Sequence, residues 1–405
     1  MELSHIVHNH QSKMTRKTHN TSLTYIAFQS VKPSMMGVIK KIQDQARAMK
    51  DIFPGFRCFI IGNHEKNLLD GSGTDKYLEF INIPVTQRFS IPKIFELRCK
   101  SIRAAESILS ENPPSFLYMR YPLGCPWVMA FFKKCRSRNI KIITEHQSFE
   151  IKELISQKKY HMALSEALFG KICLQLAYDA IGVTEEIARY EQKRAPEIRT
   201  TCIPNGIETP RYQLRNLISP DIDKRLDLLF VGAVSKWHGV DRLIHGIAKS
   251  GNKGTYLHIV GDASETQALK TLVNKHKLEE QVLFHGFKTG KELDEMFDKC
   301  HIAVGSLGIH RLGLSESSVL KVREYCARGI PFIYSPIDQD FSENFPFRLK
   351  VPADDSPIDM EQVMDFAKKM LADREHPQIM REYALSNLDW KIKMRKLKGF
   401  FEEVL

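Results

Sequence analysis

From residue 23 onward, short apolar runs alternate with stretches of helical spacing. Leu23-Thr-Tyr-Ile-Ala-Phe28, Phe56-Arg-Cys-Phe-Ile-Ile61, Leu78-Glu-Phe-Ile-Asn-Ile83, Phe116-Leu-Tyr-Met119 and Ile140-Lys-Ile-Ile-Thr144 read as strands. Between them, helical spacing appears at 37–50, 94–111 and 125–138, and a long helical stretch fills roughly 150–178. Ala180-Ile-Gly-Val183 is a further strand leading into a helix at 185–193, and Cys202-Ile-Pro-Asn-Gly-Ile207 reads as a strand running into a turn. Residues 208–225 are polar and poorly periodic, which suits a linker. The alternation restarts at Leu226-Asp-Leu-Leu-Phe-Val-Gly232 and continues through 256–260, 282–285, 302–304 and 331–334, with helices near 361–372 and 388–404 closing the chain. Such alternation predicts parallel sheets covered on both faces. Two successive arrays joined by a linker predict an α/β chain of two Rossmann-like domains facing a cleft, with the chemistry on loops at the carboxyl ends of the strands.

Composition narrows the picture. The 405 residues suffice for two cores, and the 43% hydrophobic and 26% charged fractions are those of a soluble globular protein. No run approaches the ~20 apolar residues of a membrane span. Residues 1–21 are polar and lack the apolar core of a signal peptide, so a disordered leader and a cytoplasmic location are expected. The leader's histidines, at 5, 8, 10 and 19, are read as part of it rather than as a metal site. Eight scattered cysteines, without a C-x-x-C pair, read as reduced thiols.

The net charge of +11 favours anionic partners. It concentrates at Phe131-Phe-Lys-Lys-Cys-Arg-Ser-Arg-Asn-Ile-Lys141 and at Lys391 to Lys398, with no nucleic-acid-binding signature beside either run. Lys133, Lys134, Arg136 and Arg138, next to two aromatics, suit either an anionic membrane surface or a solvated helix end.

The most informative chemistry lies at Glu316-Ser-Ser-Val-Leu-Lys-Val-Arg-Glu324, followed by a turn and a buried strand. Two carboxylates flank what reads as a helix start, with Ser317, Ser318, Val319 and Leu320 predicted to present the unpaired N–H groups of the first turn. Such groups, at the positive end of the helix dipole, bind phosphate without a special side chain. Acids that hold sugar hydroxyls beside amides that hold a diphosphate suit a nucleotide-sugar. Gly232 follows a strand and opens a loop that allows close approach to the backbone. Asp221-Ile-Asp223 and Asp338-Gln-Asp340 both spell D-x-D, but neither has further ligand candidates around it. Both are read as surface, and no metal is expected.

Taken together, four segments resemble a retaining glycosyltransferase of family 4, with the GT-B fold. They are Gly37-Val-Ile-Lys-Lys-Ile, Ile203-Pro-Asn-Gly-Ile207, Phe230-Val-Gly-Ala-Val-Ser-Lys-Trp-His-Gly-Val-Asp241 and the Glu316-to-Glu324 segment with its Gly329-Ile-Pro-Phe-Ile tail. The resemblance covers roughly residues 22–405. It implies an N-terminal acceptor domain over 22–207, a linker over 208–225, a nucleotide-sugar-binding domain over 226–385, and a C-terminal helix over 386–405 that returns to the first domain. It further implies sugar transfer from a nucleotide-sugar to a hydroxyl, with the anomeric configuration kept and no cofactor.

In this resemblance Glu316 holds the donor sugar and Glu324 its ribose, although Glu324 is also placed to pair with Arg328 at i+4. His146, just after a strand, is implied to contact the donor or the reacting hydroxyl, and a polar strand-end residue is the alternative. Gly37 falls on the acceptor side, and Gly232, Gly261 and Phe287 on the donor side. The family's loop after the Gly232 strand usually carries an Arg and a Lys for the leaving diphosphate, where this chain has Ala233 and His238. Lys236, His238 or both are therefore expected to supply that charge. The acceptor implied is a glycan or lipid-linked glycan of cell-surface polysaccharide assembly, reached at the inner face of the plasma membrane. A nucleotide-sugar epimerase on the same fold and a non-catalytic partner subunit are the rivals.

Overall fold

The computed structural model describes residues 22–65, 76–85, 93–216, 222, 224–262 and 265–403. The polar leader with its histidines, and Asp221 and Asp223, lie outside them.

Seven parallel strands form the first sheet: β1 (Leu23–Phe28), β2 (Arg57–Gly62), β3 (Leu78–Asn82), β4 (Phe116–Arg120), β5 (Lys141–His146), β6 (Asp179–Gly182) and β7 (Arg199–Cys202), in the order β3-β2-β1-β4-β5-β6-β7. Six more form the second: β8 (Leu226–Val231), β9 (Thr255–Val260), β10 (Val282–Gly286), β11 (Ile302–Val304), β12 (Phe332–Tyr334) and β13 (Arg348–Lys350), in the order β10-β9-β8-β11-β12-β13. The central strands β1, β4 and β8 are buried along nearly their whole length, because helices cover both faces. In each sheet the order reverses beside the first strand, β1 or β8, and there the carboxyl ends of neighbouring strands diverge to leave a crevice.

In the N-terminal half the helices are α1 (Met36–Ile52), α2 (Lys93–Glu111), α3 (Pro126–Ser137), α4 (Glu150–Ser156), α5 (Tyr160–Leu176) and α6 (Glu185–Arg194). In the second half they are α7 (Val240–Ser250), α8 (Thr266–His276), α9 (Gly290–Lys299), α10 (Leu320–Arg328), α11 (Met360–Ala372), α12 (His376–Tyr383) and α13 (Trp390–Glu402). The last is capped by Asp389, whose side chain accepts from the Lys391 N–H. Its buried Trp390, Met394, Leu397 and Phe401 join the core of the first sheet, where the Phe401 ring stacks on Phe116 with centroids 5.0 Å apart. The chain thus returns to its first domain, as expected for GT-B. None of the described helices is long and apolar enough to cross a membrane.

Three expectations need correction. The stretch 150–178 is two helices, because Lys158 adopts a left-handed conformation (φ 59°) that ends α4. The strand expected to begin at Cys202 ends there: β7 is Arg199-Thr-Thr-Cys, a half-buried edge strand whose polar side chains hid it, and Ile203 onward is turn. Finally, Phe131 and Phe132 are buried, since α3 lies between α2 and α5, so the basic end of α3 carries no exposed aromatic from this pair.

Candidate functional site

A cavity of about 570 Å³ lies between the carboxyl edges of the two sheets. The first domain lines it with Gly37 at the start of α1, Arg120 at the end of β4, Gln147 and Ser148 after β5, and Thr184 before α6. Gly232, Gly261 and Phe287, in the loops after β8, β9 and β10, line it from the second domain, as do residues 316–321 and Glu324. Gly232 (φ 131°) and Gly261 (φ 120°) pack turn against turn: a Cβ on Gly261 would sit 2.3 Å from the Gly232 carbonyl oxygen. Both backbones are thereby held at the cavity wall, and neither residue adds a side chain of its own there. Nothing lies within 4 Å of where a Gly37 Cβ would stand, so that glycine opens the wall without being sterically required. Phe287 is 64% exposed, an aromatic face free at the rim.

Helix α10 begins three residues later than the sequence suggested. Glu316 forms a parallel bridge to Ile337, and the Ser317 N–H donates to the Ile337 carbonyl, so Ser317 is not a free first-turn amide. Ser318 is taken up by the first domain: its Oγ accepts from the Asn205 N–H (2.8 Å) and its carbonyl from Asn205 Nδ2 (2.6 Å). Val319 is the N-cap, and no side chain caps the helix. The first-turn amides are therefore those of Leu320, Lys321 and Val322.

Arg323 fixes this geometry. Fully buried, it donates to the carbonyls of Asn205 and Val319 and grips both Asp338 and Asp340. Asp338-Gln-Asp340 is accordingly not the surface loop it was read as. Asp338 is 3% exposed, and Asp340 also pairs with Lys393 of α13, because a buried guanidinium requires nearby carboxylates.

The expected cations are placed differently. Lys236 is exposed and its side chain does not line the cavity; its carbonyl accepts from Arg311. His238 does line the cavity, but as a neutral group. It is 4% exposed, and its Nδ1 accepts from the Ser235 N–H at 3.0 Å. Burial holds its imidazole well below the ordinary value. The ring's proton therefore sits on Nε2, making His238 a neutral donor. What the sequence reading passed over is Lys321. Its Nζ is buried without a hydrogen-bond partner, lies 3.8 Å from the Phe230 ring centroid, and reaches to 3.4 Å from where a Gly232 Cβ would stand. Burial pushes its ammonium well below the usual lysine range. A signal existed: a lysine in the first turn of a helix opposes the helix dipole, so its presence there needs a reason outside the helix.

Both carboxylates reach the cavity. Glu316 also bridges the domains, accepting from the Glu186 N–H (2.9 Å) at the start of α6 and from Arg189 (2.9 Å). The Glu186 carboxylate returns the contact, accepting from the N–H groups of Ser315 and Glu316. Glu324 makes the i+4 pair with Arg328 (2.8 Å) while lining the cavity.

His146, expected to face the cleft, does not. It is fully enclosed at the end of β5, hydrogen-bonded to Glu150 (2.8 Å) and Thr144 (3.0 Å) and stacked on Tyr121. Gln147 and Ser148 line the cavity instead. Burial lowers the His146 imidazole, but Glu191 and Glu150 outweigh it and hold it above its ordinary value. The three groups are close enough to share a metal ion. However, Arg194 already bonds Glu191 and reaches Glu150, so the cluster works as an ion-pair network tying α6 to α4.

With two parallel sheets, a cleft at their carboxyl edges and an uncapped helix aimed into it, the chain can be compared with known proteins. Residues 218–386 match the family model of glycosyl transferases group 1. Solved structures extend the likeness to 95% of the chain and show the GT-B fold. Sucrose-phosphate synthase from Thermosynechococcus elongatus superposes with a TM-score of 0.69 at 15% identity, over 95% of this chain and 99% of that one. HepE of Anabaena, in complex with UDP, gives 0.63 at 13% identity, over 95% and 100%. A glycosyltransferase from Rickettsia africae gives 0.64 at 16%, over 95% and 98%. No curated protein matches the chain in sequence.

Proposed function

We propose that the protein is a retaining, metal-independent glycosyltransferase that moves a sugar from a nucleotide-sugar to a hydroxyl of a glycan or lipid-linked glycan. One observation carries this reading: an uncapped helix N-terminus opens between two carboxylates into the interdomain cavity. The amides of Leu320, Lys321 and Val322 would receive the diphosphate, Glu316 the sugar hydroxyls, and Glu324 the ribose. Gly232 and Gly261 would let the phosphates approach the backbone, and Phe287 would offer its free face to the base. The departing diphosphate, once positioned, takes the acceptor's proton, so no side-chain nucleophile is required. His238 would donate from Nε2 rather than act as a cation.

A thermal-shift screen over UDP-, GDP-, ADP- and dTDP-sugars tests the reading. One nucleotide series is expected to raise the melting temperature by several degrees, since a ligand at a hundred times its Kd stabilises by about 2.7 kcal/mol. Transfer with the anomeric configuration kept, followed by NMR, then separates a transferase from an epimerase or a silent partner subunit. No response to any of the four series would remove the donor site.

Docking on an anionic membrane belongs to the same proposal, now on charge alone. Lys133, Lys134, Arg136 and Arg138 stand exposed at the end of α3. Each basic residue near such a surface contributes about 1 kcal/mol. Neutralising all four is therefore expected to abolish co-sedimentation with phosphatidylserine vesicles at low salt; unchanged co-sedimentation would rule the surface out.

A further inference from the structure

We infer that Lys321 is the cation that binds the donor's diphosphate, and that the diphosphate brings this lysine its proton. The inference rests on the donor reading above and adds a residue and a coupling to it.

Three observations converge. First, the loop after β8 offers no side-chain cation to the cavity: Ala233 has none, Lys236 points elsewhere, and His238 is neutral. Second, Lys321 sits in the uncapped first turn of α10, so its amine and the turn's amides face one space. Third, its Nζ is buried, unpartnered, and 3.4 Å from where a Gly232 Cβ would stand. An amine enclosed in this way, without an acceptor, is costly unless a ligand supplies one.

The surroundings explain why it waits uncharged. Around the cavity stand His238 after β8, Asp262 after β9, Lys288 after β10, Glu316 before α10, Glu324 on α10, and Arg120 and Glu153 from the first domain. None is hydrogen-bonded to the Lys321 nitrogen, which stands over the Phe230 ring, 3.8 Å from its centroid. Burial thus favours the neutral amine in the empty site. An entering diphosphate reverses the balance, because two or three negative charges beside the nitrogen favour the ammonium. Binding then takes up one proton from solvent. By linkage, affinity falls as pH rises between the lysine's value in the empty site and its value in the filled one.

The test uses UDP, GDP, ADP and dTDP with the full-length protein at pH 8, where the free nucleotides are fully ionised. Calorimetry in two buffers of different ionisation enthalpy is expected to show uptake of close to one proton for whichever nucleotide binds. Lys321→Met should bind that nucleotide 10- to 100-fold more weakly, with no proton uptake. It should melt at or above the wild-type temperature, because a buried unpaired amine has been removed. Lys321→Arg, charged at every pH, should bind without proton uptake and without the fall in affinity toward pH 9. Wild-type binding without proton uptake, or Lys321→Met binding as tightly as wild type, overturns the inference but leaves the donor site standing. Failure of all four nucleotides to bind the wild type overturns both.

Discussion

Replacing Arg323 by methionine is expected to destabilise the protein by about 3–5 kcal/mol, the effect of leaving buried carboxylates without their partner. Arg323 is fully buried and holds Asp338 through two hydrogen bonds (2.6 and 2.9 Å) and Asp340 through one (2.7 Å). Lys393 remains to serve Asp340, but among the described residues Asp338 has no other cation. The midpoint of urea denaturation at pH 8 should fall accordingly, and Arg323→Met combined with Asp338→Leu should recover much of the loss. The deficit should also depend on pH. Burial already raises the Asp338 carboxyl above its ordinary range, against the pull of the Arg323 guanidinium, and removing that guanidinium raises it further. A carboxyl with a folded-state pKa above its unfolded one contributes stability at low pH that is lost as pH rises through the folded value. The variant should therefore lie closer to wild type at pH 5 than at pH 8. An unchanged midpoint at pH 8 would show that the aspartates find other partners.

The same arginine shows where sequence reading stops. The strands were legible because long apolar runs such as Leu23–Phe28 and Leu226–Val231 have few other uses, and the two arrays gave the two domains. The cavity segment was legible because two glutamates around a helix start make a local pattern. The details were set by partners distant in the chain. Ile337 bridges Glu316 and accepts from the Ser317 N–H, and α10 starts only at Leu320; Arg323 draws in the second D-x-D. His146 ends its strand two residues past Thr144, where Glu191 from α6 joins Glu150 in enclosing it, and a partner as far along the chain as Glu191 leaves no local signature. His238 has the composition of a cation and, once its loop folds, the hydrogen bonding of a neutral ring. Only Lys321 left a local trace, its unfavourable place in the helix dipole.

Glu316→Gln is expected to lower kcat on the order of 100-fold, with a smaller change in KM, in transfer from whichever nucleotide-sugar the screen selects. Glutamine keeps the shape but loses the charge that two sugar hydroxyls would share, and a charged hydrogen bond is worth about 1.5–3 kcal/mol. The difficulty is that Glu316 has a second occupation. It also holds the Glu186 N–H and Arg189 across the domain junction, so a variant could act by loosening that latch alone. Arg189→Ala separates the two. Its side chain is 61% exposed, and an exposed ion pair contributes at most about 1 kcal/mol, so removing it should change kcat less than about fivefold. If the two variants lose turnover together, the carboxylate acts through domain closure; if only Glu316→Gln does, it acts on the sugar. Wild-type turnover in Glu316→Gln would leave Glu316 a latch and nothing more, and the donor's hydroxyls would need another partner along the cavity wall.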